Sequence, residues 1–330
     1  ISSVSGIILN NFFTVKITKT QNLIDMLTKP ASDNHISVCI CTFKRPQMLS
    51  NLLSKLQDQV TEDRFTYSAV VVDNDANKTA LDTVTDWKNK SSIQIDYFCE
   101  PEQNIALARN KAVANAKGNF IAFIDDDEFP DKNWLINLFK TLNQYQCAGV
   151  LGPVKPYFET APPKWIIKGK ICERKSYPTG TVLKKPDETR TGNVLLNKAI
   201  CSNQEKPFNP KFGLTGGEDV DFFGRMMKKG LTFIWCNDAF VYEIVPSERF
   251  KRSFYLKKAL LRGKVNADVT SLFSLGFIKS VIAFIIYTIL LPFLLLSSPH
   301  LFMKYLIKDC DHIGKLLGFC GITYIKKRDF

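Results

Sequence analysis

Four acidic residues in succession, Asp125, Asp126, Asp127 and Glu128, close the stretch NFIAFIDDDEFPD. The apolar run ahead of them, bounded by polar residues, reads as a buried strand. Carboxylates crowded at a strand end repel one another unless they are solvated or neutralised, and a divalent cation that prefers oxygen neutralises them. A solvated acidic turn, with Asp131 capping a helix from about Lys132, is the other reading of the same residues. A second acidic group stands in FGLTGGEDVDFFGRMMKKG, residues 212–230. Gly216 and Gly217 permit a tight backbone path, and Glu218, Asp219 and Asp221 open a helix whose apolar face is expected to hold Val220, Phe223, Met226 and Met227. The helix dipole favours acids at that end and accounts for one of them. Three together behind a Gly-Gly turn point to a carboxylate that accepts a proton. Arg109, on the expected helix Ile105–Ala116, falls between two acidic strand ends. A role facing phosphate or carboxylate is expected there, against the default of a surface arginine.

The elements that must position these groups alternate. ISVCICT (36–42), YSAVVV (67–72), IQIDYF (93–98) and the run NFIAFI read as strands, with helices from Pro46, over 78–90 and over 105–116 between them, and Gly118 suits a helix C-cap. Strands alternating with helices across short connections indicate an α/β fold with a parallel sheet, whose chemistry sits at the carboxyl ends of the strands. The polar residues fall there: Thr42 with Arg45 after the first strand, Asp73-Asn74-Asp75 after the second, and the acidic run after the fourth. RTGNVLLN (190–197) adds a short strand. Residues 155–190, rich in lysine, arginine and proline, read as a basic loop of the kind that covers a site. GxGxxG and GxxxxGK[ST] patterns are both missing, so dinucleotide and P-loop readings lose their support.

The formal charge of +12 implies an anionic partner, namely nucleic acid, a phosphorylated substrate or an acidic membrane face. RNP, helix-turn-helix and zinc patterns do not occur, which argues against nucleic acid. Nine cysteines without CxxC pairs read as reduced thiols of a cytosolic compartment. No signal peptide is visible, and because the sequence opens on Ile1 an upstream piece is expected. Residues 1–34 carry an apolar stretch, Ile7–Phe13, and no assignment. Near the other end VIAFIIYTILLPFLLLSS (281–298) has no charge and meets the lower limit for crossing a bilayer. Basic residues lie on both sides of it, from RFKRSFYLKKALLRGK (249–264) to Lys304, Lys308, Lys315 and KKR (326–328). Both flanks then belong on the cytoplasmic face. A re-entrant or two-helix hairpin is expected, bent near Pro292 to Pro299 and returning through Leu301–Phe319, with peripheral attachment as the alternative.

Taken in order, SVCICTFKRP, VVVDND, ALARN with GNFIAFIDDDE, TGN and GGEDVDFFGRM resemble a family 2 glycosyltransferase of the GT-A fold. The resemblance covers roughly Ile36 to Arg262. Through DDDEFP, GGEDVDFF and VYEIVPSER the chain is most similar to bacterial succinoglycan-type exopolysaccharide glycosyltransferases. The resemblance implies a nucleotide-sugar-binding half over 35–154, an acceptor-binding half over 155–262 and a membrane-associated helical tail over 263–330. Thr42 and Asp73 would contact the base, Arg109 the diphosphate, and Arg45, Asp125 and Asp126 would complete the donor site. Asp125 and Asp127 match the outer positions of a DXD motif that holds Mg²⁺ or Mn²⁺. Asp219 matches the catalytic base and Glu218 the contact to the acceptor sugar. The implied reaction is inverting transfer of a hexose from a UDP-sugar to a glycan or a polyprenyl-diphosphate-linked saccharide at the cytoplasmic face of the inner membrane. A non-catalytic nucleotide-sugar or glycan-binding protein of the same fold is the competing class. One departure stands out: where many members supply a metal-binding histidine this chain has Glu243, open to binding metal, contacting the acceptor or pairing with Arg249.

Overall fold

The structure is a computed structural model and describes residues 34–202, 205–214, 216–268 and 275–322. The stretch Ile7–Phe13 and the basic KKR at 326–328 lie outside the described residues. The chain forms two compact units, each built from segments distant in sequence: residues up to Pro153 with Ser176–Val241, and Val154–Lys175 with the chain from Tyr242 onward.

The first unit is organised on an eight-stranded sheet. Its strands are β1 (His35–Thr42), β2 (Thr66–Asp73), β3 (Ile95–Cys99), β4 (Phe120–Ile124), β6 (Gly149–Leu151), β8 (Val182–Leu183), β9 (Asn193–Asn197) and β10 (Phe233–Trp235), with the short β5 (Glu128–Pro130) beyond β4. The spatial order is β3-β2-β1-β4-β9-β6-β10-β8. The run from β3 to β4 is parallel, and β9 enters antiparallel to both β4 and β6. Helices α1 (Pro46–Leu56), α2 (Leu81–Lys90), α3 (Ile105–Asn115), α4 (Trp134–Tyr145), α6 (Ala199–Ser202) and α7 (Glu218–Lys228) belong to this unit. Strands β1 and β4 read as unbroken apolar runs because both sheet faces are covered, and Val38, Ile40, Ile121 and Ala122 are fully buried.

Local chemistry explains the boundaries. Pro46 stands at the first turn of α1, where its missing N–H costs nothing. Asn104 caps α3 by accepting from the N–H groups of Ala106 and Leu107. Asp131 does not cap a helix directly. It accepts from Asn133 N–H at 2.9 Å, and α4 starts at Trp134. Gly118 does not serve as a C-cap either, since α3 ends at Ala116 with extended backbone. Gly118 is there because a Cβ would fall 2.0 Å from the carbonyl oxygen of His35.

In the second unit β7 (Val154–Tyr157) pairs with β11 (Val241–Ile244), and the helices are α5 (Lys164–Gly169), α8 (Arg252–Asp268), α9 (Leu275–Ser297) and α10 (Pro299–Phe319). The basic stretch 155–190 is therefore not one loop; it divides at Lys175 between the two units and carries β7, α5 and β8. Helix α9 runs straight through Pro292 to Ser297, and the break falls at Ser298. Helix α10 returns beside it, with Phe277 against Phe319 and Tyr287 against Tyr305. Helix α9 is long and apolar enough to cross a membrane.

Candidate active site

Strand register gathers the polar residues at one sheet edge of the first unit. Thr42 pairs with Asp73 across β1 and β2. Because β9 is antiparallel, its first residue Asn193 lies opposite Ile124, the last residue before the acidic run. TGN (191–193) thus enters the edge that the parallel strands leave. Asn193 is fully buried and fixes this corner. It accepts from Trp134 Nε1 at 2.8 Å and donates to the carbonyls of Pro153 at 3.0 Å and Ala239 at 2.8 Å.

Asp126 is the buried aspartate of the acidic run. The Thr42 hydroxyl donates to its Oδ2 at 2.8 Å, and Arg45 Nη1 donates to its Oδ1 at 3.0 Å and to Asp127 Oδ2 at 3.3 Å. Burial raises the Asp126 carboxyl above its ordinary value, and Arg45 and Thr42 pull it back. Asp125 and Asp127 are half-buried. Glu128 is buried, and its Oε2 accepts from the Asp125 N–H at 3.3 Å while its own N–H donates to the Asp125 carbonyl at 3.1 Å. A Cβ on Gly192 would stand 2.9 Å from Glu128 Oε1 and 3.0 Å from Asp125 Oδ2, so the glycine of TGN leaves room for the carboxylates.

Arg109 joins the two acidic groups. It is buried on α3, pairs with Glu218, and lies 3.6 Å from Asp125 Oδ1. Burial opposes its charge, but Glu218, Asp125 and Asp219 outweigh that and hold the guanidinium above its ordinary pKa. It is a fixed cation between the carboxylates of the strand end and those at the start of α7. Gly216 and Gly217 carry φ of +84° and +101°, the left-handed turn that lets Glu218 point inward at the start of α7. Glu218 is buried with Oε2 unpartnered, whereas Asp219 is half-buried and accepts at Oδ1 from Val220 N–H at 2.8 Å. Because Glu218 turns inward, the buried face of α7 runs through Phe222, Phe223 and Met226, and Val220 is exposed. Of the expected apolar face, Phe223 and Met226 are buried, Met227 is half-buried and Val220 is exposed.

Asp73 is engaged by its own loop and by β3. Its Oδ2 accepts from Ala80 N–H at 2.8 Å and the Tyr97 hydroxyl at 3.2 Å, and its Oδ1 from Asp75 N–H at 3.2 Å. Burial raises its pKa. The neighbouring Asp75 is buried with Oδ2 unpartnered, so it is the strand-end acid with an oxygen left to offer. Cys41 is no nucleophile, since burial pushes its thiol up to about 12.

Among the described residues no three His, Cys, Asp or Glu side chains converge to hold a metal unaided. An all-oxygen pair such as Asp125 and Asp127 suits an ion whose remaining ligands come from a diphosphate and water, the usual habit of Mg²⁺. Glu243, in the second unit, is held by Arg174 and by Arg249 at 3.1 Å.

Residues 37–204 match the profile of Glycosyl transferase family 2, about half of the chain. The chain belongs to glycosyltransferase family 2. The succinoglycan biosynthesis protein ExoM of Rhizobium meliloti (strain 1021) is 33% identical over 240 residues, 72% of this chain and 75% of that protein. Chondroitin synthase of Pasteurella multocida (strain Pm70) is 24% identical over 251 residues, 66% of this chain but only 26% of the synthase. Among solved structures, the mannosyltransferase PcManGT from Pyrobaculum calidifontis, in complex with GDP-Man and Mn²⁺, aligns with a TM-score of 0.57 at 16% identity over 92% of this chain and 95% of that one. Staphylococcus aureus TarS 1-349 with UDP-GlcNAc aligns with a TM-score of 0.50 at 16% identity over 88% and 93%. The fold is GT-A with a mostly parallel central sheet. The chain is an inverting nucleotide-sugar glycosyltransferase, and its family relatives act in polysaccharide synthesis.

The family motifs do not reveal what holds the loop ahead of α7. Asn110 clamps the backbone of Phe208, donating to its carbonyl at 2.8 Å and accepting from its N–H at 2.9 Å. Asn104 donates to the Pro210 carbonyl at 3.0 Å, and a Cβ on Gly213 would fall 1.6 Å from Asn104 Oδ1. The polar edge of α3 thus grips residues 208–213 ahead of the Gly-Gly turn. The letters N and G in the sequence were the only signal, and neither announces its partner.

Proposed function

We propose that this transferase moves a hexose from a UDP-sugar to a glycan or polyprenyl-diphosphate-linked saccharide, with Asp219 as the base. The observation that carries this reading is Arg109, a buried cation shared by the acidic strand end and the start of α7. Asp125 and Asp127 would hold Mg²⁺ or Mn²⁺ against the donor diphosphate; the metal, when bound, supplies positive charge for the departing diphosphate. Arg45 must then loosen from Asp126 and Asp127 and can turn to the phosphates. Thr42 keeps Asp126 in place, and Asp75 joins Asp73 as a candidate for the base of the nucleotide. Asp219, half-exposed and, among the described residues, bonded at one oxygen only, takes the proton of the acceptor hydroxyl. Attack from the side opposite the diphosphate inverts the anomeric carbon. Glu218, held by Arg109, orients the acceptor sugar from its unpartnered Oε2.

The same reading assigns the nucleotide-sugar half to residues 35–154 and the acceptor half to 155–262. It also places the tail at the cytoplasmic face of the inner membrane, since the apolar α9 lies between basic flanks. A panel of nucleotide sugars assayed by thermal unfolding with and without Mn²⁺ is the test, because a ligand bound to the folded state raises its stability by mass action. Metal-dependent stabilisation by UDP-hexoses is expected, and the same stabilisation by every nucleotide without metal would contradict it. Slow hydrolysis of the donor separates the enzyme from a non-catalytic sugar-binding protein.

A further inference from the structure

We infer that α9 does not cross the membrane but lies in the plane of one leaflet, its outer face sunk among the acyl chains of an anionic lipid surface. The inference rests on the membrane reading above and departs from the inserted hairpin that the sequence suggests. Ile278, Ile282, Ile285, Ile286, Ile289, Phe293 and Leu296 are all exposed, and their spacing follows one face of the helix. Leu296 is 90% and Ile289 64% exposed. Such a stripe is far larger than a soluble surface leaves uncovered.

The opposite face decides the orientation. Helix α10 lies along α9 over Gly276–Thr288: Lys315 Nζ donates to the Gly276 carbonyl at 3.3 Å, Phe319 meets Phe277, His312 and Tyr305 meet Tyr287, and Thr288 donates to Asp309 at 3.4 Å. Helix α10 carries Lys304, Lys308, Asp309, Asp311, His312 and Lys315 over its 21 residues. It is in turn locked to α8 at backbone distance. A Cβ on Gly263 would stand 2.1 Å from the Asp311 carbonyl oxygen, and one on Gly314 2.1 Å from that of Leu260. Arg262 Nε donates to Asp311 Oδ1 at 2.7 Å. A perpendicular α9 would therefore drag α10 and much of α8 through the hydrocarbon, with their charges. Ionisable side chains are strongly disfavoured at the bilayer centre. A flat α9 leaves them on the water side. The lipid is anionic by charge complementarity: residues 252–319 hold nine Lys or Arg against three Asp.

The test uses the full chain, with tryptophan placed singly at Ile278, Ile285 and Phe293, mixed with vesicles of phosphatidylcholine and phosphatidylglycerol. Each substitution lies on the exposed face and leaves the packing alone. Lipids brominated near the headgroup or near the chain end report depth by quenching, read as the difference from the parent's own four tryptophans. The inference expects all three positions to be quenched alike, and more by shallow bromine. Deepest quenching at Ile285 with shallow quenching at both ends would show a crossing helix and overturn it. Failure to float with vesicles would sink the membrane reading as well. A stable dimer that ignores vesicles would give the face to a second copy and also overturn it. Replacing Ile286 and Ile289 together by Glu should weaken vesicle binding by about tenfold or more while donor-dependent thermal stabilisation stays as in the parent. Unchanged binding by that variant would equally count against the inference.

Discussion

The two acidic groups at the sheet edge look alike in sequence and differ in what surrounds them. Asp126 and Asp127, at the strand end, are tied down by Arg45 and Thr42. At the start of α7 a single buried cation, Arg109, takes Glu218, and Asp219 keeps an oxygen clear of its own backbone bond. A carboxylate that must hold a metal can sit among counter-charges that a metal and diphosphate later displace. A carboxylate that must accept a proton cannot be committed to a cation. Under the proposed function, that difference fits charge neutralisation at one group and proton transfer at the other.

The contrast is broken most severely at Asp219. Asp219→Asn keeps the shape but cannot take the proton, so turnover should fall by roughly 10²-fold or more, measured as release of nucleoside diphosphate with acceptor present. Near-normal turnover would move the base to Glu218 or Asp221. The shared cation comes next. Arg109→Met strands the buried Glu218 and should cost about 3–5 kcal/mol in denaturant unfolding. Adding Glu218→Leu should recover most of that loss, and a pair whose effects simply add would deny the coupling. Asn110→Ala releases the backbone of Phe208 and should cost roughly 1–2 kcal/mol. It should also lower kcat more than the KM for donor, since it loosens the base side alone.

The smallest effect concerns Asp73. Burial holds its carboxyl above the ordinary 3.8, so the fold favours the protonated form. Its contribution to stability is full below that ordinary value and is lost as pH rises through the raised, folded one. Asp73→Asn should flatten that decline in a series of thermal melts. An unchanged slope would mean that Asp73 does not titrate as its burial requires.

Much of this was legible in the sequence because it is local. The apolar run before Asp125 and the glycines before Glu218 announce a strand end and a tight turn within a few residues. What stayed hidden was long-range. Arg109 and Glu218 stand 109 positions apart, and Phe222, on the same side of α7 as Glu218, is buried where Val220 is not. The antiparallel entry of β9, which carries TGN to the edge, depends on strand order and not on the pattern of β9 itself. Gly118 read as a helix stop because a glycine's absent side chain does not say which backbone it makes way for. In the tail, hydropathy marks α9 without seeing that charged α10 lies beside it.

The division of labour is tested most directly by titrating UDP, in the presence of Mn²⁺, into Asp127→Ala and Asp219→Asn by calorimetry. The account predicts that the first loses metal-dependent binding while the second binds as the parent does. Equal affinity in the two variants, whether both retained or both lost, would contradict it.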